Sequence, residues 1–174
     1  MIFNTKFYKR EFERLLKTKK RKKFYIKNST SLFKIKKFIK KGVDSFELAG
    51  FIKKSSQNAK DYWTIVICYY SMLYLAKALI LTKDYETDDH YSTQIALGHL
   101  FLEDKLNQQD IEVLNKAYQT FEQEYIDYFH DARKESKISR YSTTTIYSQR
   151  RVEEIYHNSK KFIAKLLVLL EKWQ

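Results

Sequence analysis

The chain has 174 residues, of which 44% are hydrophobic, so it can form a single domain with a substantial core. With no Pro and only three Gly, it has little material for tight hairpins. The one cysteine excludes a disulfide within the chain and any cysteine-rich metal site. The start, MIFNTKFYKR, lacks the apolar segment of a secretion signal, so we expect a cytoplasmic protein.

Positive charge is concentrated in the first third of the chain. The formal net charge is +12, but residues 1–60 alone carry a net +15 and residues 61–174 carry a net −3. Such asymmetry predicts that the N-terminal third meets an anionic partner, or that it forms a lysine-rich solubilising surface.

The first predicted helix, residues 4–20, is amphipathic, with Phe7, Phe12, Leu15 and Leu16 among basic residues. Five consecutive cations end it: Lys19, Lys20, Arg21, Lys22 and Lys23. Phe24 and Tyr25 follow, so this segment can pair with phosphates while its rings stack on bases. We therefore predict a basic helical N-terminal extension over residues 1–30 that binds nucleic acid.

Two short helices are predicted next, separated at Gly42. The first carries Leu32, Ile35, Phe38 and Ile39 inward and ends at Gly42 as its C-cap. The second begins at Asp44 or Ser45 and carries Phe46, Leu48, Phe51 and Ile52 inward.

The stretch 61–82, DYWTIVICYYSMLYLAKALILT, is apolar on every side of a helix, and Lys77 is its only charge after Asp61. It is long enough to span a bilayer. However, Lys77, four tyrosines and the lack of a second span favour a central core helix and no membrane association.

The second half of the chain continues the helical pattern. An acidic loop, DYETDDH, leads to a short helix at 91–103, and Asn107 caps a long helix carrying Ile111, Leu114, Tyr118, Phe121, Tyr125 and Tyr128 inward. After the polar loop KESKISRYSTTT, Ser148 caps a last amphipathic helix. The prediction for residues 31–174 is an all-α, up-and-down bundle of four or five helices.

No metal or cofactor site is predicted. His90 and His99 lie nine residues apart without Cys or carboxylates at ligand spacing, so we expect His90 to hydrogen-bond locally or to cap a helix. There is no glycine-rich phosphate loop.

The central segment DYWTIVICYYSMLYLAKALI, followed by HYSTQIALGHLF and the turn ARKESKISRY, resembles the HEPN family over residues 32–172. The most specific elements are Tyr69-Tyr70-Ser71-Met72, Ala76-Lys77-Ala78-Leu79, His90-Tyr91 and Ala96-Leu97. The resemblance implies a helical bundle that pairs as a homodimer. Many members of the HEPN family bind nucleotides, act on RNA or pair with a nucleotidyltransferase in toxin–antitoxin systems.

Catalytic members of the family carry an Arg followed four to six residues later by His, near the start of the last core helix. Here the matching turn begins at Arg133, and no His follows within that interval. The resemblance therefore implies a branch with a degenerate ribonuclease motif. In this chain the place of the family arginine is taken by Arg133, Lys137 or Arg140, with Tyr141 nearby.

We therefore expect a non-catalytic, homodimeric protein that binds RNA or a nucleotidyltransferase partner through Lys19 to Lys23 and through Arg133, Lys137, Arg140 and Tyr141. One alternative is a metal-independent ribonuclease toxin that uses Arg150 or Arg151 with His157, because such cleavage needs a proton acceptor and a cation. The other alternative is a subunit that binds only proteins.

Overall fold

The computed structural model describes residues 4–18, 26–29, 31–55, 59–102, 105–135 and 149–173. Its elements are α1 (Thr5–Leu16), β1 (Ile26–Asn28), α2 (Leu32–Lys54), α3 (Ala59–Leu81), β2 (Tyr85–Thr87), α4 (His90–Phe101), α5 (Gln108–Glu135) and α6 (Gln149–Leu170), with a final 3₁₀ turn at Glu171–Trp173. The all-α helical bundle predicted from the sequence is confirmed.

Helix α3 is the centre of the bundle. Helices α2, α4, α5 and α6 all pack against it. Cys68, Met72, Leu75 and Ile80 are fully buried. The stretch Trp63–Leu81 is long and apolar enough to cross a membrane, and 78% of it is buried inside the protein. The surrounding helices thus cover the apolar sides that the sequence predicted for a core helix.

The prediction that a helix ends at Gly42 was wrong, because α2 continues without a break from Leu32 to Lys54. Gly42 is buried within this helix, and a Cβ placed there would lie 2.6 Å from Cγ of Leu75. The Ser71 hydroxyl donates a hydrogen bond of 2.7 Å to the Gly42 carbonyl oxygen. Gly42 is therefore a point of close approach between α2 and α3.

A two-stranded antiparallel sheet joins the segment before α2 to the acidic segment that was predicted to be a loop. Strand β1 pairs with β2 in the register Ile26 to Thr87 and Asn28 to Tyr85. Each strand is three residues long, and 56 residues lie between the end of β1 and the start of β2. Such a short strand leaves no periodic pattern, so only the tertiary fold brings the pair together.

Helix α1 packs against α4 and belongs to the same core as α3. Tyr8, Phe12 and Leu15 are buried, whereas Leu16, expected to point inward, is partly exposed. Tyr8 lies against Gly98, where a Cβ would come within 2.3 Å of the Tyr8 ring. The basic helix at the N-terminus is therefore docked on the bundle through an aromatic ring in a glycine-sized gap.

Helix starts follow the expected side-chain chemistry. The side chains of Asn4, Ser31 and Asp89 accept hydrogen bonds from the first turns of α1, α2 and α4. The predicted Asn107 cap is confirmed, because its Oδ1 accepts from the Asp110 amide at 3.0 Å. The predicted Ser148 cap lies outside the described residues.

His90 is a buried residue at the start of α4. The N-cap of this helix is Asp89 and not His90. Its ring stacks on Tyr118 with the centroids 3.8 Å apart. Its Nε2 lies 3.4 Å from Asn115 Oδ1 on α5, so the expectation of a local partner was wrong. Among the described residues, no group lies within hydrogen-bond distance of its Nδ1. Burial lowers the pKa of His90 to about 4, although the hydrogen bond to Asn115 Oδ1 acts in the opposite direction.

We expect Gly98→Ala to destabilise the docking of α1, because the methyl group would overlap the buried Tyr8 ring. Overpacking of this kind costs about 1–3 kcal/mol, which exceeds the gain of up to about 1 kcal/mol from replacing Gly in a helix. Urea unfolding of the single and double variants with Tyr8→Ala measures the coupling. If Gly98→Ala is equally costly with and without Tyr8, the proposed overlap is wrong.

We also expect stability to decrease as pH falls from about 6.5 to about 4, since the unfolded chain binds a proton at His90 more readily than the folded protein does. The loss attributable to His90 is of the order of 3 kcal/mol. His90→Gln should remove this part of the pH dependence, while His157→Gln, at an exposed position on α6, should leave it unchanged. Identical pH profiles for wild type and His90→Gln would contradict the assignment.

Candidate nucleic-acid interface

Most of the nucleic-acid-binding residues predicted from the sequence lie outside the described residues. These are Lys19, Lys20, Arg21, Lys22, Lys23, Lys137, Arg140 and Tyr141. Arg133 falls near the end of α5, but its side chain is outside the described part of the structure. These residues remain predictions.

The alternative catalytic residues all lie on α6, which begins at Gln149. Arg150 and Arg151 are therefore in its first turn, and both are exposed, as is His157. Nη2 of Arg151 donates to Thr120 Oγ1 on α5 at 3.1 Å. Arg150 and His157 are seven residues apart, so they share one face and are separated by about 10 Å along the axis.

A compact basic surface lies on the outer face of α2. Lys36, Lys37, Lys40 and Lys41 occupy two successive turns, and all four are exposed. We call these four residues the lysine ridge. Phe33 precedes them and is 74% exposed. Because the ridge belongs to a helix packed against α3, the backbone positions of its four lysines are fixed relative to one another and to α3.

Part of the positive charge near the ridge is neutralised within the protein. Nζ of Lys40 lies 2.9 Å from Asp44 Oδ2, and the hydrogen bond to Asp44 raises the pKa of Lys40. Lys34 binds Glu86 at 2.8 Å. Burial opposes ionisation of Glu86, but hydrogen bonds from Lys34, Ser29 and Lys27 outweigh it and lower the pKa of that carboxyl. No such ion pair forms at Lys36, Lys37 or Lys41 among the described residues.

Helix α3 has an exposed stripe that the sequence analysis missed. Trp63, Ile67, Tyr70, Tyr74 and Lys77 follow one another at intervals of three or four residues, and each is at least partly exposed. We call these five residues the α3 stripe. Trp63 is 54% and Tyr70 38% exposed, although the rest of the helix is almost entirely buried. The signal was present in the sequence, but rings at core spacing are usually core.

The α3 stripe and the lysine ridge meet at Tyr74. Nζ of Lys41 lies 5.3 Å from the centroid of the Tyr74 ring, within the range of a cation–π contact. The ring of Phe38, also on α2, stacks on Tyr74 at a centroid distance of 6.0 Å. Tyr70 lies one turn away, with its centroid 6.2 Å from that of Tyr74. One continuous surface therefore presents both cations and aromatic rings.

The opposite side of the ridge borders a groove between α2 and α6. This groove has a volume of about 500 Å³ and is lined by Lys36, Ile39, Lys40, Val43, Asp44 and Leu167. Its lining contains no aromatic ring. It can therefore contribute charge and an apolar surface but no ring for stacking.

The titratable residues of the described structure do not form a metal centre. Among the described residues, no group of three or more His, Cys, Asp or Glu side chains is arranged to hold a metal ion. The buried Cys68 has its pKa raised to about 12, mainly by burial, which makes it a poor nucleophile and a poor metal ligand.

Comparison with known protein families gives one match. The HEPN domain family matches residues 32–170, from the first residue of α2 to the last residue of α6. No curated protein matches the chain at a significant level. The matched region includes the lysine ridge, the α3 stripe and the alternative catalytic residues Arg150, Arg151 and His157, and it leaves out α1 and β1. The chain belongs to the HEPN family, a membership that is consistent with a function involving nucleotides or RNA.

Proposed function

We propose that this HEPN protein is a non-catalytic RNA-binding protein and that the lysine ridge on α2 is its main phosphate-binding surface. The observation that carries the proposal is the exposure of Lys36, Lys37, Lys40 and Lys41 on adjoining turns of one helix, three of them without an acidic partner among the described residues. Cations in such an arrangement attract a polyanion far more strongly than a neutral surface does.

Phosphate binding by lysine has a measurable signature, because each neutralised phosphate releases condensed counterions. If four lysines contact phosphates of a single strand, the slope of log affinity against log salt is about −3. Affinity then decreases roughly 50-fold between about 50 and 200 mM salt. A neutral docking surface would show almost no such dependence.

The five cations from Lys19 to Lys23 extend this surface in the proposal. Their segment follows Thr18 at the end of α1 and precedes Ile26, where β1 pairs with β2. The chain then continues from β1 to the start of α2. Because α1 contributes buried side chains to the core, the contribution of these cations is better tested by substitution than by removal of residues 1–30.

The same proposal includes the biological setting expected from the sequence. The protein is proposed to act in the cytoplasm as a homodimer, as the binding or regulatory member of a two-component, toxin–antitoxin-like system. Its partner would be a nucleotidyltransferase. The HEPN family membership supports this setting, and co-purification of such a partner from the native host would test it.

The RNA-binding proposal predicts that the double substitution Lys37→Glu, Lys41→Glu weakens RNA binding at least about tenfold at about 50 mM salt and reduces the salt slope by roughly 1–2. Fluorescence anisotropy with a labelled oligoribonucleotide measures both quantities. Lys160→Glu, Lys161→Glu on the exposed side of α6 is the matched control, since it changes the net charge equally. An equal loss in both double variants, or no RNA binding by wild type at low salt, would contradict the proposal.

A metal-independent ribonuclease is the second candidate function. It is favoured by the position of Arg150 and Arg151 in the first turn of α6, because the catalytic arginine of the family lies near the start of the last core helix. Both Arg150 and His157 are exposed on one face, where a second copy of the chain can bring another set of these groups. His157 would accept the 2′-hydroxyl proton as that oxygen attacks the phosphorus and the 5′-oxygen leaves, and an arginine would stabilise the negative charge on the non-bridging phosphate oxygens.

The two candidates predict different results for RNA integrity. For a non-catalytic protein, labelled RNA stays intact during prolonged incubation in EDTA, and His157→Ala changes nothing. For a ribonuclease, wild type cleaves the RNA, and His157→Ala reduces the rate by about 10²-fold or more, as expected for loss of a general base. Lys160→Ala, also exposed on α6, is the control and should cleave like wild type.

A further inference from the structure

The aromatic character of the α3 stripe goes beyond what phosphate binding alone requires. A core helix covered on its other sides by α2, α4, α5 and α6 would be expected to expose small or charged residues where it meets water. Instead, the residues at that position include Trp63, Tyr70 and Tyr74, and Trp63 is more than half exposed. Large exposed aromatic rings in a row mark an interaction surface.

The rings of the stripe are held in place before any ligand binds. The Tyr74 ring contacts two other rings. Phe38 stacks on it at an interplanar angle of 17°, and Tyr70 contacts it from the preceding turn of α3. The Tyr69 ring supports Tyr70 with a centroid distance of 5.0 Å. Tyr69 itself is buried and packs against Tyr118 on α5. An ordered platform loses little conformational entropy when a flat ligand stacks on it.

Charge at the edges of the stripe favours an anionic ligand. Lys41 lies over the Tyr74 ring, and Lys37, one turn earlier on α2, lies 5.9 Å from the centroid of Phe33. One turn beyond Tyr74, at the same end of the stripe, Nζ of Lys77 donates to the carbonyl oxygen of Asp88 at 2.8 Å. The cores of protein–protein interfaces are depleted of lysine. This combination of rings and lysines therefore fits a nucleic acid better than a second protein chain.

The length of the stripe indicates how much of a strand it can hold. From Trp63 to Tyr74 the helix rises about 16 Å, the length of a few nucleotides of a single strand. Rings that stack on bases require unpaired, splayed nucleotides, whereas duplex RNA is read through its shape and its 2′-hydroxyl groups. A paired duplex offers no base face to Tyr70 or Trp63.

We infer that the lysine ridge and the α3 stripe together form a site for single-stranded RNA, in which the lysines of α2 bind the phosphates and the rings of Tyr70 and Trp63 stack on unpaired bases. This inference rests on the proposed RNA-binding function and specifies its substrate. It assigns phosphate binding to the lysines of α2 and base stacking to the rings of α3. The two contributions can therefore be removed by separate substitutions.

The test compares Tyr70→Ala with Tyr70→Phe, using a labelled single-stranded oligoribonucleotide of about 12 nucleotides and a duplex of the same length. Tyr70→Ala should weaken single-strand binding about 5- to 100-fold, since stacking contributes about 1–3 kcal/mol per base. Tyr70→Phe keeps the ring and should retain most of the affinity. Neither variant should alter the salt slope or duplex binding, and thermal unfolding checks that both variants fold.

A second measurement does not depend on the Tyr70 variants. The chain has two tryptophans, so Trp173→Phe leaves Trp63 as the only one. Stacking of a base on this exposed indole should quench its fluorescence in parallel with the anisotropy change, while duplex RNA should leave the fluorescence unchanged. Absence of quenching at saturating single-stranded RNA would overturn the role given to Trp63.

The results separate the two levels of the proposal. If Lys37→Glu, Lys41→Glu abolishes binding but Tyr70→Ala does not change it, the stacking inference is wrong and the proposed RNA-binding function stands. If wild type binds no RNA at low salt, both are wrong. If Tyr70→Ala converts a dimer to a monomer in sedimentation and leaves RNA affinity unchanged, the stripe is an interface between two copies of the chain, which also overturns the inference.

Discussion

The burial of α3 is the constraint on which the rest of the structure depends. Its apolar side chains point in almost every direction, so the free energy of folding is favourable only if other helices cover it on several sides. Helices α2, α4, α5 and α6 meet this requirement. The close contact of α2 at Gly42 brings the two helices together, and it fixes where the lysines of α2 lie relative to the tyrosines of α3.

The same constraint explains why the exposed part of α3 carries rings. A tyrosine at the boundary of a core buries the base of its ring and leaves the hydroxyl edge in water. The rings of Tyr70 and Tyr74 pack on Tyr69 and Phe38, and part of each side chain is exposed. A surface whose rings pack on buried neighbours is rigid. Substituting only the most exposed of these rings is therefore expected to affect binding more than overall stability.

The N-terminal segment has a structural role in addition to its charge. The HEPN match begins at residue 32, yet Tyr8, Phe12 and Leu15 of α1 are buried in the core that contains α3 and α4. β1 then pairs with β2 just before α2 begins. The extension is therefore attached to the rest of the protein both through α1 and through β1.

The sequence by itself determined the fold class, the central helix, the Asn107 cap and the HEPN family, because these depend on local periodicity, capping chemistry and motifs within one segment. It did not reveal that Gly42 lies inside a helix, that β1 and β2 pair, or that His90 meets Asn115. Each of these depends on contacts between segments far apart in the chain. The α3 stripe was hidden for the same reason. Tyr70 and Tyr74 have the spacing of core residues, and only the packing of the neighbouring helices decides which side of an apolar helix stays open to water.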